Sequence, residues 1–320
     1  MGRLLIMNEC NNISVLGAGK MGLGIAQLFA TKGYQVKVIY VFDDKKRGNA
    51  LEVLTTNLEV LSENQVISKD EISIILDRIS FTESLEEAAD FADIIFECIV
   101  EDLDVKQNYF EKLDKICKPS VILASNTSAI SITQIAEKAI HKERIVGTHY
   151  WNPAYLVPLV EVIKTEFVSD ETVMKTFKLL EKAGKKPVLV KKDVPGFLAN
   201  RMQHSLFREA LSIVENGIAD PKDVDDAIKY GFGMRLAISA PMEVMDMGGL
   251  DLTYSIHSYL FPHLDDSHKP LAILSEKIAE GKLGFKTKSG LQDWTDDEIL
   301  LRQKNLNEGL IKVAKALDRL

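Results

Sequence analysis

Cysteine is scarce in this sequence, and positive charge is outnumbered by negative. The three cysteines, Cys10, Cys98 and Cys117, show neither a C-x-x-C pair nor zinc-ligand spacing. A disulfide framework and a structural metal site are therefore not expected, and an odd, sparse set suits a reducing compartment and reads as core filling. Lysine and arginine number 39 against 47 acidic residues, a net charge of −8, which argues against nucleic acid or an anionic membrane as partner. No apolar run approaches the roughly 20 residues of a membrane span, and Leu4-Leu5-Ile6-Met7 is too short for a signal-peptide core. The expectation is a soluble, cytoplasmic protein that acts on a small molecule.

What is present is an alternating pattern. A chain of 320 residues with 46% hydrophobic content supplies enough for two domains. An apolar run, Ile13–Leu16, leads into Gly17-Ala18-Gly19-Lys20-Met21-Gly22, and a helical pattern follows to Ala30. A G-x-G-x-x-G between strand and helix has a physical reason for each glycine. The first permits the tight turn, the second lets backbone approach a diphosphate, and the third lets the helix pack closely on the strand. The helix start then offers unpaired N–H groups to the phosphates. A second strand, Val36–Ile39, ends at Tyr40, where a ribose-binding acid is usual. Asp43 is the candidate that favours NAD, while Lys45-Lys46-Arg47 could accept the additional phosphate of NADP.

Residues 48–77 carry helical periodicity with a polar break near Ser62–Gln65 and read as a helical hairpin inserted after the second strand. Strands are expected at Ile79–Phe81, Asp93–Val100, Val121–Ala124, Arg144–Thr148, Leu159–Ile163 and Pro187–Val190, with helices at 85–91 and 131–139 and after Ser169. Beyond residue 192 the pattern is helical only. The fold class is therefore α/β, a doubly wound parallel sheet in a domain of residues 1–192 followed by an all-α domain of residues 193–320. Glu101 and Lys106 fall where a strand gives way to a helix, the side on which such sheets bind ligands. Ser125-Asn126-Thr127-Ser128 is a dense polar cluster at another strand end, fit either to cap a helix or to line a site.

Hydride transfer from a secondary alcohol leaves a hydroxyl proton that needs a base, and histidine suits that task. Of six histidines, His149 alone falls at a strand end on the ligand side, and Glu161 stands on what reads as the adjoining strand. Together they make a base and a carboxylate that orients it and stabilises the imidazolium.

Several spaced motifs then share one source. Ser125–Ser128, His149-x-x-Asn152-Pro153, Leu159–Ile163, Asp193–Arg201, Met245–Asp251 and Leu283–Gly290 together resemble the short-chain L-3-hydroxyacyl-CoA dehydrogenases over nearly the whole chain. The resemblance implies a Rossmann domain with an inserted helical hairpin, a helical domain that forms a homodimer, and NAD-dependent oxidation of a 3-hydroxyl. It also implies His149 as general base with Glu161 as its partner, and Ser128 and Asn200 at the reacting oxygen. Gly17, Gly19, Lys20, Met21, Gly22, Asp43, Glu101, Lys106, Asn152 and Lys286 match cofactor-binding positions. Two departures stand out. Tyr40 replaces the expected acid, and the hairpin stretch Thr55–Asn64 carries no lysine, although in the family a lysine there meets coenzyme A. Relatives that oxidise carnitine or L-gulonate share the same architecture, as does the non-enzymatic lambda-crystallin.

Overall fold

The computed structural model describes residues 10–40 and 44–320. Its sheet-forming elements are β1 (Asn12–Leu16), β2 (Gln35–Ile39), β3 (Ile79–Thr82), β4 (Ile94–Glu97), β5 (Ile122–Ser125), β6 (Ile145–Tyr150), β7 (Leu159–Ile163) and β8 (Lys186–Val190). They form one sheet in the order β3-β2-β1-β4-β5-β6-β7-β8. The first six strands run parallel, β7 returns antiparallel to β6, and β8 runs parallel to β7. Strand order reverses at β1, so the carboxyl ends of β1 and β4 open a crevice there. This is the doubly wound arrangement that the alternating pattern leads one to expect.

Helices cover both faces: α1 (Lys20–Thr31), α2 (Asp44–Glu63), α3 (Glu71–Leu76), α4 (Leu85–Phe91), α5 (Leu103–Ile116), α6 (Ile132–Ile135) and α7 (Asp170–Lys182). A sheet covered on both sides needs strands that are apolar throughout, and Ile94, Ile95 and Phe96 are all buried. One core joins α1, α2 and α7 to the face carrying Ile13 and Val15. The other joins α4, α5 and α6 to the face carrying Leu16 and Ile95. The inserted hairpin is α2 and α3, and Leu54, Leu58, Leu61 and Ile75 bury its apolar stripe in the first core. Each such side chain stabilises by about 1.5–3 kcal/mol relative to exposure.

Three elements differ from the sequence expectation. The strand expected over Asp93–Val100 is only β4 and stops at Glu97. The helix expected over 131–139 is only α6, four residues long. Ser131 caps it, but the Asp114 carboxylate accepts hydrogen bonds from the N–H groups of Ile140 (2.8 Å) and His141 (3.2 Å). Those bonds tie the segment after α6 to another helix, and a short 3-10 turn, Lys142–Arg144, leads on into β6. That strand in turn runs to Tyr150, so His149 lies within it and not beyond its end.

The contacts divide the chain into two compact units. One holds the described residues up to Leu198 together with Asn307–Leu320, and the other is Ala199–Leu306. The second unit is helical, opening with α8 (Ala199–Glu215) and continuing through the helix Pro221–Tyr230, which Asp220 and Pro221 start. In the first unit, Ile311 and Ala314 of the last helix are buried, and Lys315 donates to the carbonyls of Asn64 and Gln65.

Candidate active site

The turn from β1 into α1 is built as its glycines require. Gly17 has a left-handed φ of +107°, and a Cβ there would lie 2.7 Å from the Cys98 carbonyl oxygen. A Cβ on Gly22 would lie 1.9 Å from the Gly17 carbonyl oxygen, so any larger residue pushes α1 off β1. At Gly19 the same test meets nothing within 4 Å, leaving open space above the helix start. Gly19 has no side chain to cap α1, and the first-turn N–H groups remain available to an anion. These features fit a dinucleotide diphosphate. Lys20 is exposed and Met21 partly buried on the first turn.

Along the same carboxyl edge, β4 ends in a buried ion pair. Lys106 Nζ lies 2.6 Å from Glu97 Oε1 and 3.3 Å from Glu101 Oε2, with Lys106 and Glu97 each 1% exposed. The other Glu97 oxygen accepts from Ser125 Oγ at 2.6 Å. Glu101 accepts from Thr127 Oγ1 and from the N–H groups of Ser128 and Ala129. Burial alone would raise the Glu101 carboxyl; the Thr127 bond and the Lys106 charge outweigh it and hold the group below its ordinary range. The Ser125–Ser128 cluster is thus largely spent on organising β4 and β5. Asn126 Oδ1 accepts from the Tyr150 N–H at 2.9 Å. The Ser128 side chain is exposed.

One strand further on stands the histidine. His149 and Glu161 are direct partners in the β6–β7 ladder, so the pleat sends both side chains to one face. Nδ1 of His149 lies 2.7 Å from Glu161 Oε2. Trp151 Nε1 donates to the same oxygen at 3.4 Å, and the Leu198 N–H donates to Glu161 Oε1 at 2.8 Å. Glu161 is fully buried and His149 is 5% exposed. The Leu198 and Trp151 N–H groups can only donate, so Glu161 acts as the acceptor in this network. That assigns the Nδ1 proton to the bond with Glu161 and leaves Nε2 with its lone pair. Phe197, buried and left-handed at φ +48°, closes over the imidazole with ring centroids 5.7 Å apart. The turn at Gly196 and Phe197 is what aims the Leu198 N–H at Glu161.

The remaining expected residues are placed as follows. Asn152 is exposed, two residues after the end of β6, and is joined to Pro153 by a cis peptide. Asn200 stands partly buried in the first turn of α8, and Lys286 is exposed; both belong to the Ala199–Leu306 unit. Asp43 lies outside the described residues. Tyr40 is buried against Phe81 with centroids 5.1 Å apart. Sequence reasoning missed Glu97, which accepts from Lys106 and Ser125 at once. The signal was present as one acid inside the apolar run Ile94–Ile99. Burial pushes the thiols of Cys98 and Cys117 upward, Cys117 to about 11. Both stay protonated and inert at neutral pH.

Comparison with known proteins agrees with this geometry. Residues 12–194 match the family described as 3-hydroxyacyl-CoA dehydrogenase, NAD binding domain, and residues 196–294 match its C-terminal domain. The chain is 32% identical over 309 residues to the 5-formyl-3-hydroxy-2-methylpyridine 4-carboxylate 5-dehydrogenase of Mesorhizobium japonicum, covering 96% of this chain and 98% of that one. It is 33% identical over 286 residues to the 3-hydroxybutyryl-CoA dehydrogenase of Clostridioides difficile, covering 88% and 99%. A crystal structure of the pyridine-carboxylate dehydrogenase, described as an NAD+ dependent dismutase, superposes with a TM-score of 0.88 at 31% identity, covering 96% of this chain and 98% of that chain.

Proposed function

The chain belongs to the 3-hydroxyacyl-CoA dehydrogenase family, and from that membership and the His149–Glu161 pair we propose that it oxidises the 3-hydroxyl of a 3-hydroxyacyl-CoA to the 3-keto compound, reversibly. The observation that carries this reading is the 2.7 Å bond from His149 Nδ1 to Glu161, which leaves Nε2 as the proton acceptor. His149 Nε2 takes the hydroxyl proton, and Glu161 stabilises the imidazolium that results. NAD, when bound, supplies the hydride acceptor. Ser128 and Asn200 hydrogen-bond the reacting oxygen, and their help grows as charge develops there. Gly17, Gly19, Lys20, Met21 and Gly22 receive the diphosphate, while Asp43, Glu101, Lys106, Asn152 and Lys286 position the rest of the cofactor. The working form in this reading is a homodimer.

A second reading has a specific observation behind it. The hairpin stretch Thr55–Asn64 has no lysine to meet a coenzyme A phosphate, and the relative from M. japonicum, matched over 96% of this chain, is named for a substrate without coenzyme A. The alternative substrate is therefore a small hydroxy or formyl acid, with the same base and the same cofactor. A non-enzymatic NAD-binding protein is the third class.

Substituting His149→Gln should lower kcat by roughly 10²–10⁴-fold, the usual effect of losing a general base, with NAD affinity unchanged by fluorescence titration. Unaltered turnover in that variant overturns the assignment. Absorbance assays with 3-hydroxybutyryl-CoA, carnitine, L-gulonate and aromatic hydroxy acids, each against NAD and NADP, separate the substrate readings. Cofactor binding with no turnover across the panel would favour the third class.

A further inference from the structure

A second charged cavity lies in the first unit, apart from the His149–Glu161 pair. About 640 Å³ in volume, it is bounded by Lys32 after α1, by Pro158 before β7, by Lys185 and Lys186 at the start of β8, and by Asp318 and Arg319. Even with the carboxylate of Asp318 set against them, four basic side chains leave the lining net positive on a chain whose overall charge is −8. Lys32, Lys186 and Arg319 are exposed, and among the described residues none of the three has an ion-pair partner. Exposed lysines alone would be ordinary solvated surface. Lys185 is different.

Lys185 is 7% exposed, and its Nζ donates to the carbonyls of Ala154 at 2.5 Å and Val157 at 2.8 Å. An ammonium has three donors, and no described residue takes the third. A Cβ built on Gly184, whose φ is +76°, would lie 3.3 Å from Lys32 Cε and 3.5 Å from its Nζ, so the Lys32 amine sits over the backbone next to Lys185. Burial, then the Lys32 charge, push the Lys185 ammonium down to about 7. Two neighbouring amines with no carboxylate between them raise each other's energy, and an anion between them would lower it. Arginine adds a planar fork that matches tetrahedral oxyanions.

We infer that this cavity binds a tetrahedral dianion, the phosphate of a small monoester or inorganic phosphate itself, through Lys32, Lys185, Lys186 and Arg319. The ligand reaches the active site through the β6–β7 connection. Ala154 and Val157, the two carbonyls that Lys185 holds, lie on the segment that leaves His149 and enters Glu161, and Pro153 O accepts the N–H groups of Leu156 and Val157 within it. An anion that keeps Lys185 charged keeps that segment tied down.

The test is calorimetry on the full-length protein saturated with NAD, so that the diphosphate loop is already filled. Sulfate serves as the probe that does not titrate, with inorganic phosphate and a glycerophosphate as arms that tell a free anion from a monoester. The expected result is saturable binding with a Kd of about 1 mM or tighter, weakened at least tenfold in Lys32→Gln and in Arg319→Gln, whose side chains are exposed. Sulfate binding near neutral pH should also take up protons, seen as a dependence of the heat on the buffer, and Lys185→Met should abolish that uptake. Absence of saturable sulfate binding, equal affinity in the Lys32 and Arg319 variants, or binding without proton uptake in the parent protein would each overturn the proposal. None of these readouts depends on turnover, so they stand or fall separately from the proposed reaction.

Discussion

Replacing Glu161 by glutamine tests the central geometry most directly, because the change keeps the shape and removes the charge. The donors to Glu161 include His149 Nδ1 at 2.7 Å, the Leu198 N–H at 2.8 Å and Trp151 Nε1 at 3.4 Å. A glutamine amide has a single acceptor oxygen, so one of the two short bonds becomes a donor facing a donor, which costs about 1–3 kcal/mol of stability. The effect on chemistry is larger in kind. A pair of unit charges about 4 Å apart interacts by roughly 4 kcal/mol at an effective dielectric of ~20. That attraction exists only once the imidazole has taken the proton, so it acts on the step that forms the imidazolium. With part recovered by the amide dipole, a loss of roughly 3 kcal/mol lowers kcat on the order of 10²-fold. The assay is kcat at neutral pH and saturating NAD on the substrate that the panel identifies. kcat should fall by that factor while NAD affinity holds. A variant with undiminished kcat would show that Glu161 only anchors structure.

Three other perturbations follow from the same contacts. Gly22→Ala places a methyl 1.9 Å from the Gly17 carbonyl oxygen, so NAD binding should be lost, with a drop in Tm in thermal unfolding; retained affinity would contradict the close packing of α1 on β1. Lys106→Met leaves Glu97 buried without its cation, and urea unfolding should record a loss of about 3–5 kcal/mol; a loss under about 1 kcal/mol would mean that the pair is solvated. Lys185, pushed down to about 7 from 10.5, binds fewer protons folded than unfolded across that interval, so stability rises as pH rises through it and is lowest below it. Unfolding free energies from urea titrations at pH ~7 and ~9 should differ by about 2 kcal/mol, the higher at pH ~9, and Lys185→Met should remove the difference.

Much of the fold was legible because its signals are local. The glycine turn, the apolar strands and the hairpin stripe each depend on residues within one or two elements, and they stand where the periodicity puts them. His149 and Glu161 were legible as residue types on adjoining strands, although only the ladder register makes them face each other. What the sequence could not supply were partners drawn from distant segments. Ser125 and Thr127 look like caps or site residues, yet their hydroxyls go to Glu97 and Glu101 of the neighbouring strand end. Asp114 shortens α6 from another helix altogether. Lys185 reads as one more lysine in a basic run, and only folding reveals the carbonyls around it.

The bond from the Leu198 N–H to Glu161 Oε1 ties two events to one atom group. The carboxylate that steadies the base also holds the last residue before α8, through a turn that only the left-handed Phe197 makes possible. Pulling that segment away would strip Glu161 of a donor and loosen its grip on His149 in the same movement. The orientation of the base and the seating of residues 196–198 are therefore a single arrangement, and a label on Leu198 would report on the carboxylate that orients His149.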